Sequence, residues 1–218
     1  METFIKISTI IHVTAGCGAL LFGALAIILK RNTSKHKAIG KLYFWCMTVI
    51  FVTGIYLSLY KNNVFLFLIA IFTYYSVSIA YRALKLKQLN ITQKPKLIDW
   101  LIEIIAGCAF IGMIIFAIIL FFQSSSSGFL LPLIFGSFGL YGVITNTKRL
   151  LKKPNKTMIW LKVHIGHMLG SYIGAITAFL VNQMKYIPLP PIAVWFAPAI
   201  ILVPIIVMEL KKIKTQPL

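Results

Sequence analysis

Acidic residues are the scarcest feature of this 218-residue chain, with four Asp and Glu against 22 Lys and Arg and a net charge of +18. Charged residues of both signs make up 12%, where soluble domains carry about 25%, and hydrophobic residues reach 59% against the usual 45–50% or so. In a polar chain such an excess of cations would suggest a nucleic-acid partner, because phosphates are neutralised by clustered cations on an exposed surface. In this apolar background it points to a membrane, and nucleic acid is excluded. Cysteine is as rare, with three residues. Cys17, Cys46 and Cys108 lie in apolar runs with no Cys-x-x-Cys pair, so they read as small buried hydrophobes and neither a disulfide framework nor a thiolate metal site. The alternating ten-residue stretches of a membrane β-barrel are missing as well. Length leaves no room for a soluble domain: seven membrane spans of about 20 residues use about 140 positions, and what remains is loops and termini.

What is present is a series of long apolar runs at about 4–29, 43–60, 64–81, 99–122, 128–146, 158–183 and 190–209. Each reads as a helix, because hydrocarbon offers the backbone no hydrogen-bond partner outside the segment. The fold expected is all-α: a polytopic membrane bundle of seven transmembrane helices forming one integral domain over 1–218. Only Lys61, Asn62 and Asn63 separate the second and third runs, which predicts a tight hairpin. The third run, with the second the shortest, extends into Arg82–Lys87 if the helix continues past the apolar stretch.

Orientation follows from the cations. Lys30, Arg31, Lys35, Lys37 and Lys41 follow the first run, and Arg82, Lys85, Lys87, Lys94 and Lys96 the third. Lys148, Arg149, Lys152, Lys153 and Lys156 follow the fifth, and Lys211, Lys212 and Lys214 the seventh. The opposite loops carry Lys6, Lys61 and Lys185, and Lys162 falls just inside the sixth run. This places the N-terminus outside and the C-terminus in the cytoplasm, with anionic lipid headgroups as partners on that side. The start Met1-Glu2-Thr3-Phe4 has no basic n-region, so the first run is expected to stay as a helix and not be removed as a signal peptide. The glycosylation-like triplets at Asn32, Asn90 and Asn155 fall in cytoplasmic loops, where they carry no meaning. Nineteen Lys against three Arg, with abundant Ile, fits an AT-rich bacterial coding sequence, and a bacterial inner membrane is the expected location.

Ionisable groups at depth are the informative residues, because placing one in hydrocarbon costs on the order of 2.5–3.5 kcal/mol or more. They are His12, Asp99, Glu103, Lys162, His164 and His167, with His36 at the mouth of the second run and Glu209 at the end of the seventh. Gly166, Gly170 and Gly174 recur every fourth residue beside His164, which strips a helix face so that a neighbouring backbone or a flat ligand can approach. In the first run His12, Gly16, Ala19 and Gly23 share a face, and in the second His36, Gly40, Tyr43, Met47 and Gly54 do. At 1.5 Å per residue, His12 belongs to the outer leaflet and His164 to the inner. Asp99 opens the fourth run, and Glu103 sits one turn deeper on the same face with Ala106 and Phe110.

A cytoplasm-side cluster of His36, Asp99, Glu103 and His164 is therefore expected. Four readings stay open. The polar groups satisfy one another or Lys162 and fix helix register. Alternatively, His36 and His164 are axial ligands of a haem b, with Gly166, Gly170 and Gly174 giving the macrocycle room and His12 serving a second, outer site with a non-His partner. In a zinc hydrolase, His36, His164 and Glu103 would hold the metal, with Asp99 and Glu103 as the catalytic candidates. The His164–His167 spacing of three departs from the His-x-x-x-His of helical metalloproteases, which ranks zinc below haem. In a small transporter, an inward carboxylate and histidine form a proton relay and Pro132, Pro198 and Pro204 break the fifth and seventh helices.

The stretches IHVTAGCGALLFG, KHKAIGKLYFW, HIGHMLGSYIGAITAFLVN and AVWFAPAIILVP together resemble an uncharacterised family of bacterial multi-helix membrane proteins, a domain of unknown function. The resemblance covers nearly the whole chain, with GSYIGAITAFLVN as its most specific part. It implies roles for His12, His36, His164, Gly170, Ser171, Tyr172, Thr177 and Asn182, omits His167, and supplies no activity. A looser similarity, inward histidines on a small bundle, is to membrane cytochrome b and ferric-reductase proteins. Those pair histidines across the membrane within one helix, which no helix here does.

Overall fold

The structure, a computed structural model, describes residues 2–123, 127–152 and 157–214. Its described residues form seven long helices: α1 (Glu2–Ile28), α2 (Thr33–Tyr60), α3 (Val64–Lys85), α4 (Leu97–Gln123), α5 (Leu130–Leu151), α6 (Ile159–Asn182) and α7 (Pro191–Lys212). All seven are long and apolar enough to cross a membrane. No named strand occurs among the described residues; the one bridge outside a strand, Leu89 with Gln93, closes a loop. The expected all-α architecture is the one observed.

The helix ends explain where the apolar runs misplaced the boundaries. α2 begins at Thr33, ten residues before the apolar run at 43. The Asn32 side chain accepts a hydrogen bond from the Lys35 amide at 3.2 Å and caps the helix there, a contact typically worth about 1 kcal/mol. The cations at 35, 37 and 41 interrupt hydrophobicity but not helix geometry, so His36 lies inside α2 and not in a loop. α5 likewise runs five residues past its apolar stretch, to Leu151, and α3 continues to Lys85. The hairpin between α2 and α3 is as tight as expected. Asn62 takes a left-handed conformation (φ 49°) and the Asn63 side chain caps α3 through the Leu66 amide at 3.0 Å. Pro198 and Pro204 do not break α7, which is continuous across both, and Pro132 sits in the first turns of α5, where its missing N–H costs nothing. The discontinuous helices of the transporter reading are therefore not formed.

α3 stands at the centre, against α2, α4 and α6, and touching α5. On one side Val77 packs with Ala19 of α1 and with Tyr43 and Met47 of α2. On the other, Leu68, Tyr75 and Ile79 pack with Ala106, Phe110 and Met113 of α4 and Val143 of α5. α4 and α5 approach closely because Gly136 and Gly139 lie under the Phe110 ring and backbone, where a Cβ would meet atoms at 2.6–3.0 Å. The outward faces are apolar: Ile10, Val52, Ile104, Ile105, Ile115, Ile200 and Ile201 are all exposed. A soluble monomer rarely shows a contiguous apolar patch above a few hundred Å², and a bilayer is the solvent that covers such a belt.

One end of the bundle gathers the C-termini of α1, α3, α5 and α7 with the N-termini of α2, α4 and α6, and it carries the basic segments. We refer to it as the basic end. Lys153 and Lys156, counted with those segments, lie outside the described residues, as does Asn155. At this end Glu209 of α7 joins Lys30 beyond α1 at 3.0 Å and Lys212 at 2.7 Å. These exposed pairs contribute at most about 1 kcal/mol each, but they place the ends of α1 and α7 together.

Candidate functional site

The polar groups near the basic end form three separate arrangements and not one cluster. The first is the histidine pair. His36 of α2 and His164 of α6 meet edge to face, with ring centroids 6.4 Å apart and planes at 86°. Each ring is anchored from behind. Nδ1 of His36 lies 3.0 Å from the carbonyl oxygen of Ala26 in the last turn of α1, and Nδ1 of His164 lies 3.1 Å from that of Ala80 in α3. A carbonyl oxygen only accepts, so Nδ1–H is the donor in both rings, and in the neutral imidazole Nε2 keeps its lone pair. Metal-ligating histidines are oriented in this way, with one nitrogen fixed by a backbone carbonyl and the other free to ligate.

The second arrangement is an ion pair. Arg82 at the end of α3 grips Asp99 in the first turn of α4 with both ends of its fork, Nε to Oδ1 at 2.6 Å and a terminal nitrogen to Oδ2 at 2.9 Å. Oδ2 also accepts from the backbone N–H of Lys96 at 2.7 Å, while the Asp99 amide donates to the Lys96 carbonyl at 2.9 Å. The carboxylate reaching back to the Lys96 amide is one half of a capping box, the other bond being made by the Lys96 backbone carbonyl, and it places a carboxylate at the positive end of the helix dipole. Asp99 is 3% exposed and so is committed to structure.

The third is centred on Glu103, 4% exposed and one turn deeper. Tyr75 of α3 donates to Oε2 at 3.1 Å, and the Asn146 amide of α5 donates to Oε1. Arg149 in turn donates from Nε to Asn146 Oδ1 at 2.7 Å. The Tyr75 ring meets His167 of α6 edge to face at 6.2 Å, so the group spans α3, α4, α5 and α6.

Asp99, Glu103, Ala106 and Phe110 do share one buried face of α4, as their spacing predicts. The expected convergence of His36, Asp99, Glu103 and His164 does not occur. Arg82 captures Asp99, and Tyr75 and Asn146 capture Glu103, which satisfies both carboxylates before they reach the histidines. Among the described residues no group of three or more His, Cys, Asp and Glu is placed to hold a metal ion, so His36, His164 and Glu103 do not form the zinc ligand set. Arg82, Tyr75, Asn146 and Arg149 went unrecognised in the sequence. Two of the chain's three arginines are among them, and an Arg just past an apolar run with an Asp opening the next was the available signal.

His12 lies in the half of the bundle away from the basic end. Its Nδ1 is 2.8 Å from Thr53 Oγ1, and Thr53 donates its single hydroxyl proton to the Val49 carbonyl at 2.7 Å. Thr53 therefore accepts from Nδ1–H of His12. The three glycines of α6 do not share a partner. A Cβ at Gly166 would meet only a Leu210 methyl of α7 at 3.9 Å, one at Gly174 would meet Thr73 of α3 at 3.3 Å, and one at Gly170 would meet nothing within 4 Å. Their faces drift apart because a four-residue repeat advances by more than one turn. The close approach of α6 is made by Tyr172, whose ring lies against Gly23 of α1 and whose hydroxyl donates to the Leu20 carbonyl at 3.0 Å. Beside it, Ser171 and Tyr43 share a buried hydrogen bond at 2.8 Å. Thr177, also singled out by the resemblance, is buried.

Residues 9–129 match the family described as Predicted membrane protein (DUF2306). That stretch holds most of α1 and all of α2, α3 and α4, with His12, His36, Asp99 and Glu103. HIGHMLGSYIGAITAFLVN, the motif on which the resemblance leaned most, lies beyond it, as does His164. No curated protein and no solved structure matches the chain.

Proposed function

The chain belongs to this family of membrane proteins of unknown function, and from that premise we propose that it holds haem b between His36 and His164 and carries electrons in a bacterial cytoplasmic membrane, its basic end facing the cytoplasm. The observation that carries the reading is the arrangement of the two imidazoles. Both have Nδ1–H tied to a backbone carbonyl on a third and a fourth helix, both keep Nε2 free, and their centroids are 6.4 Å apart. His36 and His164, through those free nitrogens, are the residues that would hold the iron.

The surroundings fit a flat ligand in a further respect. A Cβ at Gly40, one turn from His36, would meet nothing within 4 Å, so that side of His36 is open. When bound, the group supplies one-electron redox chemistry. The protein's part is to fix the ring orientations through Ala26 and Ala80, to raise the basicity of the ligating nitrogens through those hydrogen bonds, and to keep the pair within the apolar bundle. Cation asymmetry supports the orientation.

The test is the absorption spectrum of the protein purified from cells supplied with haem. A Soret band with one haem per chain is expected, lost in His36→Ala and His164→Ala and kept in His12→Ala. A spectrum without the band would remove the reading and favour a transporter or structural subunit, and stoichiometric zinc without haem would return the hydrolase. For topology, a reporter fused at the C-terminus is expected to be active on the cytoplasmic side only.

A further inference from the structure

The end of α3 and the segment between α3 and α4 build a second site, apart from the histidine pair and sharing Arg82 with the Asp99 ion pair. A cleft of about 470 Å³ opens there at the basic end, lined by Arg82, Lys85, Leu86, Gln93, Lys94 and Lys96. Four of the six lining residues are cations, and Asp99, paired with Arg82 and not itself in the lining, offsets one of them, which leaves a net charge of +3 (four minus one).

The walls are held in place. Asn90, left-handed at φ 57°, turns its side-chain amide onto the end of α5, donating to the Leu150 carbonyl at 2.8 Å and the Lys152 carbonyl at 2.9 Å. The last carbonyls of a helix have no partner within it, so this one amide caps α5 and pins the loop. Gln93 closes the loop on itself, its side-chain oxygen accepting from the Gln88 amide at 2.9 Å and its carbonyl from the Asn90 amide at 2.6 Å. Leu86 and Leu89 are buried with Leu150 and Trp100 beneath it. Asp99 orients Arg82 with two of the guanidinium's five N–H donors, which leaves three. Lys85, Lys94 and Lys96 are all exposed.

From the mouth of this cleft an apolar strip descends α4. Leu97, Leu101, Ile104 and Ile105 recur at helical spacing and are all exposed, Leu97 by 74%. A cationic cleft at the level of the headgroups, continuous with an exposed apolar strip at the level of the hydrocarbon, is complementary to a molecule with a multiply charged anionic head and acyl chains. Basic pockets between transmembrane helices bind phosphate-bearing headgroups by this combination.

We propose that Arg82, Lys85, Lys94 and Lys96 form a specific site for the headgroup of an anionic phospholipid, with its acyl chains lying along Leu97, Leu101, Ile104 and Ile105. The phosphate sits between the free donors of Arg82 and the lysine ammonium groups, and the loop is ordered before the lipid arrives. The proposal stands apart from the haem reading, since no residue is shared.

The experiment compares three probes added to the delipidated protein in neutral detergent: a diphosphatidyl lipid, phosphatidylcholine, and inorganic phosphate. Native mass spectrometry counts bound lipid and a melting curve reads protection. The diphosphatidyl lipid is expected to give one stoichiometric adduct and a raised melting temperature, where the zwitterionic lipid does neither. Lys94→Gln with Lys96→Gln is expected to weaken the adduct at least tenfold. Lys35→Gln with Lys37→Gln, an equal loss of exposed charge on the α1–α2 side, is expected to leave it in place. Equal weakening by both pairs would overturn the proposal in favour of diffuse surface attraction. Protection by inorganic phosphate equal to that by the lipid would overturn it in favour of a free-anion site. The four lysines are exposed, so the variants test binding and not folding.

Discussion

Replacing Asp99 by Asn tests whether the junction of α3 and α4 depends on charge or on shape. The substitution keeps the size of the side chain and one acceptor oxygen, but removes the negative charge from a group that accepts two hydrogen bonds from Arg82 and one from the Lys96 amide. Removing one partner of a buried pair costs about 3–5 kcal/mol, because the other charge is left unpaired. Arg82 is 17% exposed, so water recovers part of its solvation. The lower figure applies, and Asn restores one contact, which brings the expected loss to about 2–3 kcal/mol. Arg82→Met should cost a similar amount by stranding the carboxylate, whereas the double variant Arg82→Met with Asp99→Asn strands neither charge. Its loss should fall short of the sum of the two by about 2 kcal/mol, the size of coupling found between residues in direct contact. Reversible unfolding in mixed micelles, followed through the neighbouring Trp100, measures all three. Additive losses, or an Asp99→Asn effect under about 0.5 kcal/mol, would refute a structural role for this ion pair.

Glu103→Ala should destabilise by about 2–3 kcal/mol, since it strands the Tyr75 hydroxyl and the Asn146 amide in the bundle. Glu103→Gln offers partners to both groups and should recover at least half of that loss in the same unfolding assay. Gly23→Ala places a methyl group inside the Tyr172 ring contact. It should cost about 1–3 kcal/mol as an overpacked site, and Tyr172→Phe in the same background should change little further, because the displaced ring has already lost the Leu20 carbonyl. Asn90→Gly preserves the left-handed backbone but removes the amide that caps α5. A loss of about 1 kcal/mol is expected from the hydrogen bonds alone, with faster amide exchange at the end of α5 as the local readout.

The parts of this molecule legible in the sequence are those set by the solvent, and the parts not legible are those set by neighbours. Seven apolar runs became seven helices because a bilayer demands about 20 apolar residues and an internally satisfied backbone. The runs erred at the start of α2 and the end of α5, where the helix leaves hydrocarbon and is continued by capping: Asn32 for α2, and the Asn90 side chain reaching across from another loop for α5. The face of α4 was legible for the same reason, since Asp99, Glu103, Ala106 and Phe110 keep helical spacing whatever stands opposite. What stands opposite depends on helix order, which no periodicity encodes. A chain with four acids and many cations makes each carboxylate a strong attractor, and the first donor that geometry offers takes it. For Asp99 that donor is Arg82, which precedes it by 17 positions across one short loop; for Glu103 they are Tyr75 and Asn146, on the two helices that flank α4 in sequence. The histidines escaped capture because neutral imidazole needs only a carbonyl to fix one nitrogen, and Ala26 and Ala80 provide it. Separation of the acids from the histidines therefore follows from charge pairing between neighbouring helices. It leaves at the histidine pair two free ring nitrogens and no carboxylate, and this donor set is what the proposed haem site rests on.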